Sequence, residues 1–412
     1  MSRPIKLLVV TRFLPTPEFH GACTYLHDIL LYLRERSWEI ECLYLNEAPA
    51  GGSLLFAIPD AVKAIVKLEC PGNARVFGRL VRFRGLGALL RAKRGGAVAT
   101  TDGEPKQNGS DRPASERETS FARYRARRFK PDVVMADFAF LAGVLRDRLD
   151  GPRPVRAILT HDVLHERVRS FNEAGLRSAW SKWTEERERE LLGHADVIVA
   201  ISEEEARTFR RMNPASQVVV APMSARVPSS GAGPSAVPGR CLFVGGADAH
   251  NVHGLGWFLR EVWPQVLARH PPASLHVCGS VGEMVQGEFP NVSFLGHVPD
   301  LAPEYACADV CVVPILAGSG IKIKLVEALS HGRACVTTPE GLRGLGFIRE
   351  GVILAANAQE FAQAVVGILS DPVLRRKLEI QGRRVVAGSL SPEACYGPFV
   401  GAVENMLARG EP

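Results

Sequence analysis

The sequence predicts an α/β protein of two doubly wound domains. Three observations carry this. Short, almost continuously apolar runs such as IKLLVV (5–10), PDVVMAD (131–137), VRAILT (155–160) and ADVIVA (195–200) alternate with longer amphipathic stretches, as buried parallel strands alternate with helices. Thirty-nine glycines and 28 prolines punctuate those changes. The run PSSGAGPSAVPG (228–239) divides the 412 residues into two halves, each long enough for its own core. The expected division is a first domain over 1–227, a linker over 228–239, a second domain over 240–390, and a final helix over 391–412 that crosses back to the first domain.

Taken in order, residues 5–10 form the first strand. The loop TRFLPTPEFHGA follows, and then a helix from about Cys23 to Arg36 with Tyr25, Leu26, Ile29, Leu30 and Leu33 on one face. Gly21 either starts that helix or lets the backbone approach a substrate. No G-x-G-x-x-G accompanies this opening, which argues against a dinucleotide dehydrogenase. EIECLYL (39–45) alternates and reads as a strand. Residues 75–94, RVFGRLVRFRGLGALLRAKR, carry seven basic residues and no acidic one, with Phe77, Leu80, Val81, Leu89 and Leu90 near one helical face. This segment reads either as a helical hairpin with solvated arginines or as a contact for an anionic membrane surface. It lacks the stacking aromatics of a nucleic-acid module, so no nucleic-acid partner is expected. Residues 95–120 are polar and Gly/Ser-rich and read as a disordered loop.

A basic helix (121–130), the strand 131–137 and a helix near 140–149 lead to the strand 155–160, which ends in His161-Asp162. In open α/β sheets, ligand groups gather at the carboxyl ends of strands. A histidine there can bond a hydroxyl or phosphate, or move a proton, with Asp162 orienting it or capping the next segment. A charged helix over 176–193 follows, then a strand over 195–201. Ser202 with Glu205 reads as a helix cap, and QVVVAPM (217–223) ends the first domain.

The second domain opens as strand, Gly-rich loop, helix and strand over 240–280. Gly245 and Gly246 offer backbone N–H groups to a phosphate, and Asn251 reads as the helix N-cap. Whether His250 or His253 contacts a ligand in this loop stays open. Residues 291–314 read as a strand, a loop at Gly296-His297-Val298, a short helix and another strand. Strand 352–354 and helices over 357–370, 372–387 and 391–408 finish the chain.

Composition narrows the function. The net charge is +6 and the pI about 8.9, a mild excess for this length. Nine cysteines show neither CxxC nor a Cys/His metal spacing, which points to a reducing compartment and to no metal. MSRPIKLLVV is too short an apolar run for a signal peptide, and no stretch has the length of a membrane span. A cytoplasmic protein, peripheral at most on the inner face of the plasma membrane, is expected.

The chain is organised around 309–345, DVCVVPILAGSGIKIKLVEALSHGRACVTTPEGLRGL. A short strand, a Gly-marked loop and a helix from about Ile321 place free N–H groups and the positive end of a helix dipole where an anion fits. Lys322 and Lys324 lie in that first turn, and an anion between them would relieve their conflict with the dipole. Glu327, three residues after Lys324, can accept hydrogen bonds from sugar hydroxyls. The stretch is not a Walker loop. An ordinary βα unit with solvated lysines is the plain alternative.

GSGIKIKLVEALSHGRACVTTPEGLRGL resembles the C-terminal signature of the group 1 (family 4) glycosyltransferases. It departs at two places. The earlier of two family glutamates falls at Gly320, and Ala334-Cys335 replaces the usual Pro-Val. The resemblance implies a GT-B fold and a retaining, metal-independent, cofactor-free transfer. The sugar would pass from a nucleoside diphosphate sugar, UDP or GDP, to a glycan or lipid-linked glycan of envelope polysaccharide biosynthesis. It implies His161, Lys324 and Glu327 as catalytic groups. The donor would be held by Gly21, Gly245, Gly246, Asn251, His297, Ser319, Gly320, Ile321, Lys322, Lys324 and Glu327. A sugar-nucleotide epimerase of the same fold, and a non-catalytic subunit binding nucleotide or membrane, stay open at this point.

Overall fold

The computed structural model describes residues 3–16, 21–45, 111–146, 152–176, 182–226, 236–318 and 321–410, with shorter pieces between 55 and 82. In the first half the strands are β1 (Lys6–Thr11), β2 (Glu39–Tyr44), β3 (Leu55–Ala57), β4 (Lys67–Glu69), β5 (Asn73–Val76), β6 (Arg79–Arg82), β7 (Val133–Asp137), β8 (Val155–Leu159), β9 (Val197–Ala200) and β10 (Gln217–Val220). Seven of these form one parallel sheet in the order β10-β9-β8-β7-β1-β2-β4. Every residue of β7 and β9 is buried, which is why these strands read as unbroken apolar runs rather than alternating ones. The second half carries β11 (Arg240–Val244), β12 (Ser274–Cys278), β13 (Val292–Gly296), β14 (Val310–Val313), β15 (Ala334–Thr337) and β16 (Val352–Leu354). They form a six-stranded sheet in the order β13-β12-β11-β14-β15-β16.

In each sheet the strand order reverses beside the first strand, between β1 and β7 and between β11 and β14. Loops leaving two such neighbours in opposite directions open a crevice at their carboxyl ends. Both groups of candidate residues sit at such a point.

Helix Pro392–Arg409 returns to the first domain. Its Tyr396 hydroxyl donates to Asp28 Oδ2 at 2.6 Å and accepts the Ser224 N–H at 2.9 Å. Phe399 is fully buried beside Trp38, with ring centroids 6.3 Å apart. Burying such a ring contributes about 1.5–3 kcal/mol. One apolar cluster therefore runs from Leu7 and Val133 through Phe399 and Val403 to Leu325 and Leu329, tying the two halves together.

Three expectations are corrected. The basic segment 75–94 is not helical in its described part: β5 and β6 pair antiparallel, Asn73 opposite Arg82 and Val76 opposite Arg79, and β3 joins β6 to make a small separate sheet. Residues 83–94 lie outside the described residues. The loop expected over 95–120 ends earlier, since helix Glu116–Phe129 begins inside it. Ser115 and Glu118 form a reciprocal capping box there, and Glu118 also pairs with buried Arg12 at 3.1 Å. Burial alone would raise the Glu118 pKa; hydrogen bonds from Arg112, Arg12 and Ser115 outweigh it and lower the group to about 2. The charged helix expected over 176–193 starts at Glu185 with Thr184 as its N-cap, residues 177–181 lying outside the described residues.

Candidate functional site

On the first domain the site is built at the carboxyl ends of three neighbouring strands. Thr11 ends β1, Asp137 ends β7, and His161 follows β8. His161 Nε2 lies 2.7 Å from Asp137 Oδ1, and Asp137 Oδ2 accepts the Thr11 hydroxyl at 2.6 Å. Asp137 is fully buried and His161 nearly so. Because the carboxylate accepts, Nε2 carries the hydrogen and Nδ1 is the ring atom left to meet a ligand. Phe138 stacks on the imidazole, centroids 3.9 Å apart and planes 22° apart, and Tyr25 meets its edge at 5.4 Å. Phe138 holds φ at 71°, an unfavourable backbone for a bulky residue, and the result is a ring laid flat on His161. Asp162 Oδ2 is paired with Arg167 Nη1 at 2.7 Å, and the carboxylate bonded to His161 Nε2 is that of Asp137.

On the second domain, helix Ile323–Ser330 leaves the loop after β14. Lys324 Nζ donates to Asn251 Oδ1 and lies over the Phe243 ring, 4.7 Å from its centroid. Asn251 in turn donates to the Gly246 carbonyl at 3.1 Å. Asn251 is therefore not the N-cap of helix Ala249–Trp257, a position held by Asp248; it is the residue that holds Lys324. Burial pushes the Lys324 ammonium down to about 7, with Asp248 opposing the shift and Lys322 adding to it. Glu327, one turn along, accepts the Tyr305 hydroxyl at 3.0 Å. Burial raises its pKa, against the hydrogen bond from Tyr305 and the charge of Lys324. Tyr305 is fully buried and stacks on His331, centroids 4.5 Å apart.

The glycines act by leaving space. A Cβ on Gly245 would lie 2.8 Å from the Phe243 ring and 3.1 Å from Lys324 Nζ, so a side chain there would displace the lysine. The Gly245 N–H is not available to a phosphate, because it donates to the Cys278 carbonyl at 2.9 Å. A Cβ on Gly21 would lie 2.3 Å from Ile323 Cδ1, so the first-domain helix Gly21–Glu35 begins in contact with helix Ile323–Ser330, the phosphate helix expected from the sequence. The Gly318 N–H donates to Ser170 Oγ of the first domain at 3.1 Å. These contacts join the first domain to the loop and helix that carry Lys324, with Asp162, next to His161, among the charges bearing on Lys322.

Lys322 takes a different position from Lys324. It is the buried N-cap residue of the phosphate helix, and the charges bearing on it are Glu340, Asp162, Arg167 and Arg343. His250 lies among cations, and burial followed by Lys324, Arg167 and Lys322 lowers it to about 2, which disfavours its cationic form in the free protein. His297 is exposed on the loop after β13. Ile321 is buried, while Ser319 and Gly320 lie outside the described residues. Asp137, Phe138 and Tyr305 were not singled out in the sequence; of these, Asp137 at a strand's carboxyl end was the one with a legible signal. Among the described residues no cluster of three or more His, Cys, Asp or Glu side chains suits a metal, and no helix is long and apolar enough to cross a membrane.

Comparison with known proteins agrees with this architecture. The family model described as "Glycosyl transferases group 1" matches residues 238–371, and "Glycosyltransferase Family 4" matches 93–223. Sucrose-phosphate synthase from Thermosynechococcus elongatus superposes with a TM-score of 0.68 at 17% identity, covering 99% of this chain and 100% of that one. TarM of S. aureus, solved with Fondaparinux, alpha-GlcNAc-glycerol and UDP, superposes with a TM-score of 0.70 at 9% identity, covering 97% and 99%. An uncharacterized 44.6 kDa protein of the cps region of Klebsiella pneumoniae is 25% identical over 138 residues, 30% of this chain and 36% of that relative's length. With the two matched models falling on the two halves and the fold shared end to end, the chain belongs to the group 1 (family 4) glycosyltransferases of the GT-B fold.

Proposed function

We propose that the protein transfers a glycosyl group from a nucleoside diphosphate sugar to a glycan or lipid-linked glycan acceptor, with retention of configuration and without a metal. The observation that carries this reading is the Lys324 ammonium. It is half-buried at a helix N-terminus, held by Asn251, with Glu327 one turn along and the His161–Asp137 pair across the cleft. A diphosphate placed at that ammonium is stabilised most when its charge grows as the sugar leaves, a contribution commonly worth several kcal/mol. Glu327 accepts ribose hydroxyls, and His161 meets the sugar through Nδ1. The acceptor oxygen forms its bond to the anomeric carbon on the face from which the diphosphate departs. The anomeric C–O bond to phosphate breaks, and the acceptor's proton passes to the leaving phosphate oxygen. UDP is the favoured nucleotide because TarM was solved with it. The cps-region relative supports a role in envelope polysaccharide biosynthesis. Contact of 75–94 with anionic lipid belongs to the same proposal, and co-sedimentation with anionic vesicles tests it.

The deciding experiment is thermal stabilisation by UDP, GDP, their sugar conjugates and free phosphate, since a ligand of the native state raises stability by mass action. One nucleotide and its sugar conjugate should stabilise the protein, and Lys324→Ala and Glu327→Ala should abolish the shift. No shift with any nucleotide from folded protein would overturn the donor assignment.

A further inference from the structure

Beside the phosphate helix, where the two domains meet, one guanidinium lies among three carboxylates. Arg343 follows the short helix Pro339–Leu342 that leaves β15. Its Nε is 3.1 Å from Glu204 Oε1, its Nη2 3.5 Å from Glu166 Oε2, and its Nη1 3.8 Å from Glu340 Oε1. Glu340 belongs to the same turn, but Glu166 and Glu204 belong to the first domain. They occupy the first turns of helices Leu164–Glu173 and Glu203–Met212, which follow β8 and β9, where a helix dipole favours a carboxylate. Glu166 is steadied further by the Thr208 hydroxyl at 3.2 Å.

A second contact marks the same seam as built rather than incidental. Gly344 holds φ at +77°, and a Cβ there would lie 3.2 Å from both Ser202 Cβ and Ile321 Cγ2. The second-domain backbone thus rests against the Ser202 cap of the first domain and the start of the phosphate helix together. Arg343, Gly344, Glu166, Glu204 and Glu205 line one small cavity, and Glu205 Oε2 is buried without a hydrogen-bond partner. The first domain therefore faces the second with Asp162, Glu166, Glu204 and Glu205, and the second answers with Lys322 and Arg343.

We propose that Arg343 is a positioning residue for glycosyl transfer: its ion pairs to Glu166 and Glu204 fix the register of the His161 edge over the Lys324 loop. His161 stands five residues before Glu166, on the same strand-to-helix connection, so what holds Glu166 holds His161 in place. Arg343 makes no contact with Lys324, Asn251 or Glu327, so nucleotide binding by the second domain does not need it. A guanidinium fits the task because its planar fork reaches two carboxylates on different helices at once, which a lysine cannot do. The inference rests on the donor reading above, and the test separates the two.

The experiment compares wild type, Arg343→Glu, Glu204→Arg, the double charge swap and the milder Arg343→Lys. It measures kcat at saturating donor and acceptor, UDP affinity by calorimetry, and the radius of gyration by small-angle scattering. Arg343→Glu should lower kcat about 10-fold or more, leave the UDP Kd within about 2-fold, and expand the molecule. The charge swap should recover most of kcat and the compact radius, and Arg343→Lys should fall between, within about 3-fold of wild type. The proposal is overturned if the swap is no better than Arg343→Glu, or if Arg343→Glu keeps wild-type kcat and radius. Equal losses in kcat and UDP affinity also overturn it. If wild type itself binds no UDP, the donor reading fails, and the scattering comparison still decides whether Arg343 clasps the domains.

Discussion

Lys324 makes the binding of a diphosphate dependent on pH in a direction and size that follow from its surroundings. In the free protein its ammonium is pushed down to about 7, chiefly by burial. A bound diphosphate favours the charged form and raises that pKa, so binding takes up a proton at any pH above the free value. At pH 8 a group of pKa about 7 is deprotonated in about nine-tenths of molecules, so each UDP bound should bring up to about 0.9 proton with it. Between pH 7 and 9 the UDP Kd should rise by up to about 50-fold, the limit for a lysine that stays charged in the complex. UDP itself adds little slope, since with a last phosphate pKa near 6 it is about nine-tenths ionised at pH 7 and more so above. His250 is neutral throughout, so it adds no slope. The assay is isothermal titration of UDP at pH 8 in two buffers of different ionisation enthalpy, repeated with Lys324→Ala. The variant should lose about 1.5–3 kcal/mol of binding at pH 7 and the whole proton uptake. A wild-type protein that binds UDP with no proton uptake and no pH slope would refute the placement of the diphosphate at Lys324. The sign carries to stability as well. The unfolded chain keeps this proton up to the ordinary lysine value of 10.5 and the native state releases it near 7, so this group's contribution becomes more favourable as pH rises between the two.

Three further outcomes follow from single contacts. Tyr305→Phe removes the hydroxyl that Glu327 accepts at 3.0 Å; UDP affinity should fall by about 1–2 kcal/mol, with 2′-deoxy-UDP affected less, as measured by calorimetry. Asp137→Asn replaces the carboxylate 2.7 Å from His161; transfer at saturating substrate should drop roughly 10- to 100-fold while UDP binding holds. Gly254→Ala would set a Cβ 2.1 Å from the Pro314 carbonyl oxygen; the helix or the phosphate loop must move, and the variant should lose about 1–3 kcal/mol in denaturant unfolding together with UDP affinity.

Much of the fold is legible in the sequence because parallel strands buried on both faces leave unbroken apolar runs; β1, β7, β8 and β9 are cases in point. The phosphate helix is legible from its glycines and lysines in local order. What escapes is what depends on contacts between distant residues. Asp137 and His161 are 24 positions apart and meet only because β7 and β8 are neighbours. Gly245 reads as a phosphate-binding amide, yet its N–H is already bonded, and it serves by leaving room for Lys324. The helix from Glu116 was missed although Ser115-x-x-Glu118 is a capping-box pattern, because the polar composition around it outweighed a four-residue signal. The hairpin of β5 and β6 was missed because arginines and apolar residues at mixed spacing fit a helical face as well as a strand.

On the proposed donor reading the two halves of the site divide the work unequally, and that division makes the contacts between them more favourable with donor than without it. Lys324, Asn251 and Glu327 all belong to the second domain and would, on that reading, hold a nucleotide without the first. His161 and Asp137 belong to the first domain, which meets the second where Gly21 meets Ile323 and Ser170 meets Gly318, and on the same reading they would reach the sugar through that contact. Closing these contacts over an empty loop buries an ammonium without an anion, which low surrounding dielectric makes unfavourable. Closing them over a diphosphate turns the same burial into a gain, since attraction between opposite charges grows as water leaves. The burial that depresses the Lys324 pKa is thus a cost to the ammonium without ligand, and an anion would relieve it. Arg343 and its two carboxylate partners offset part of that cost, holding the edges in register while leaving the donor to supply the rest.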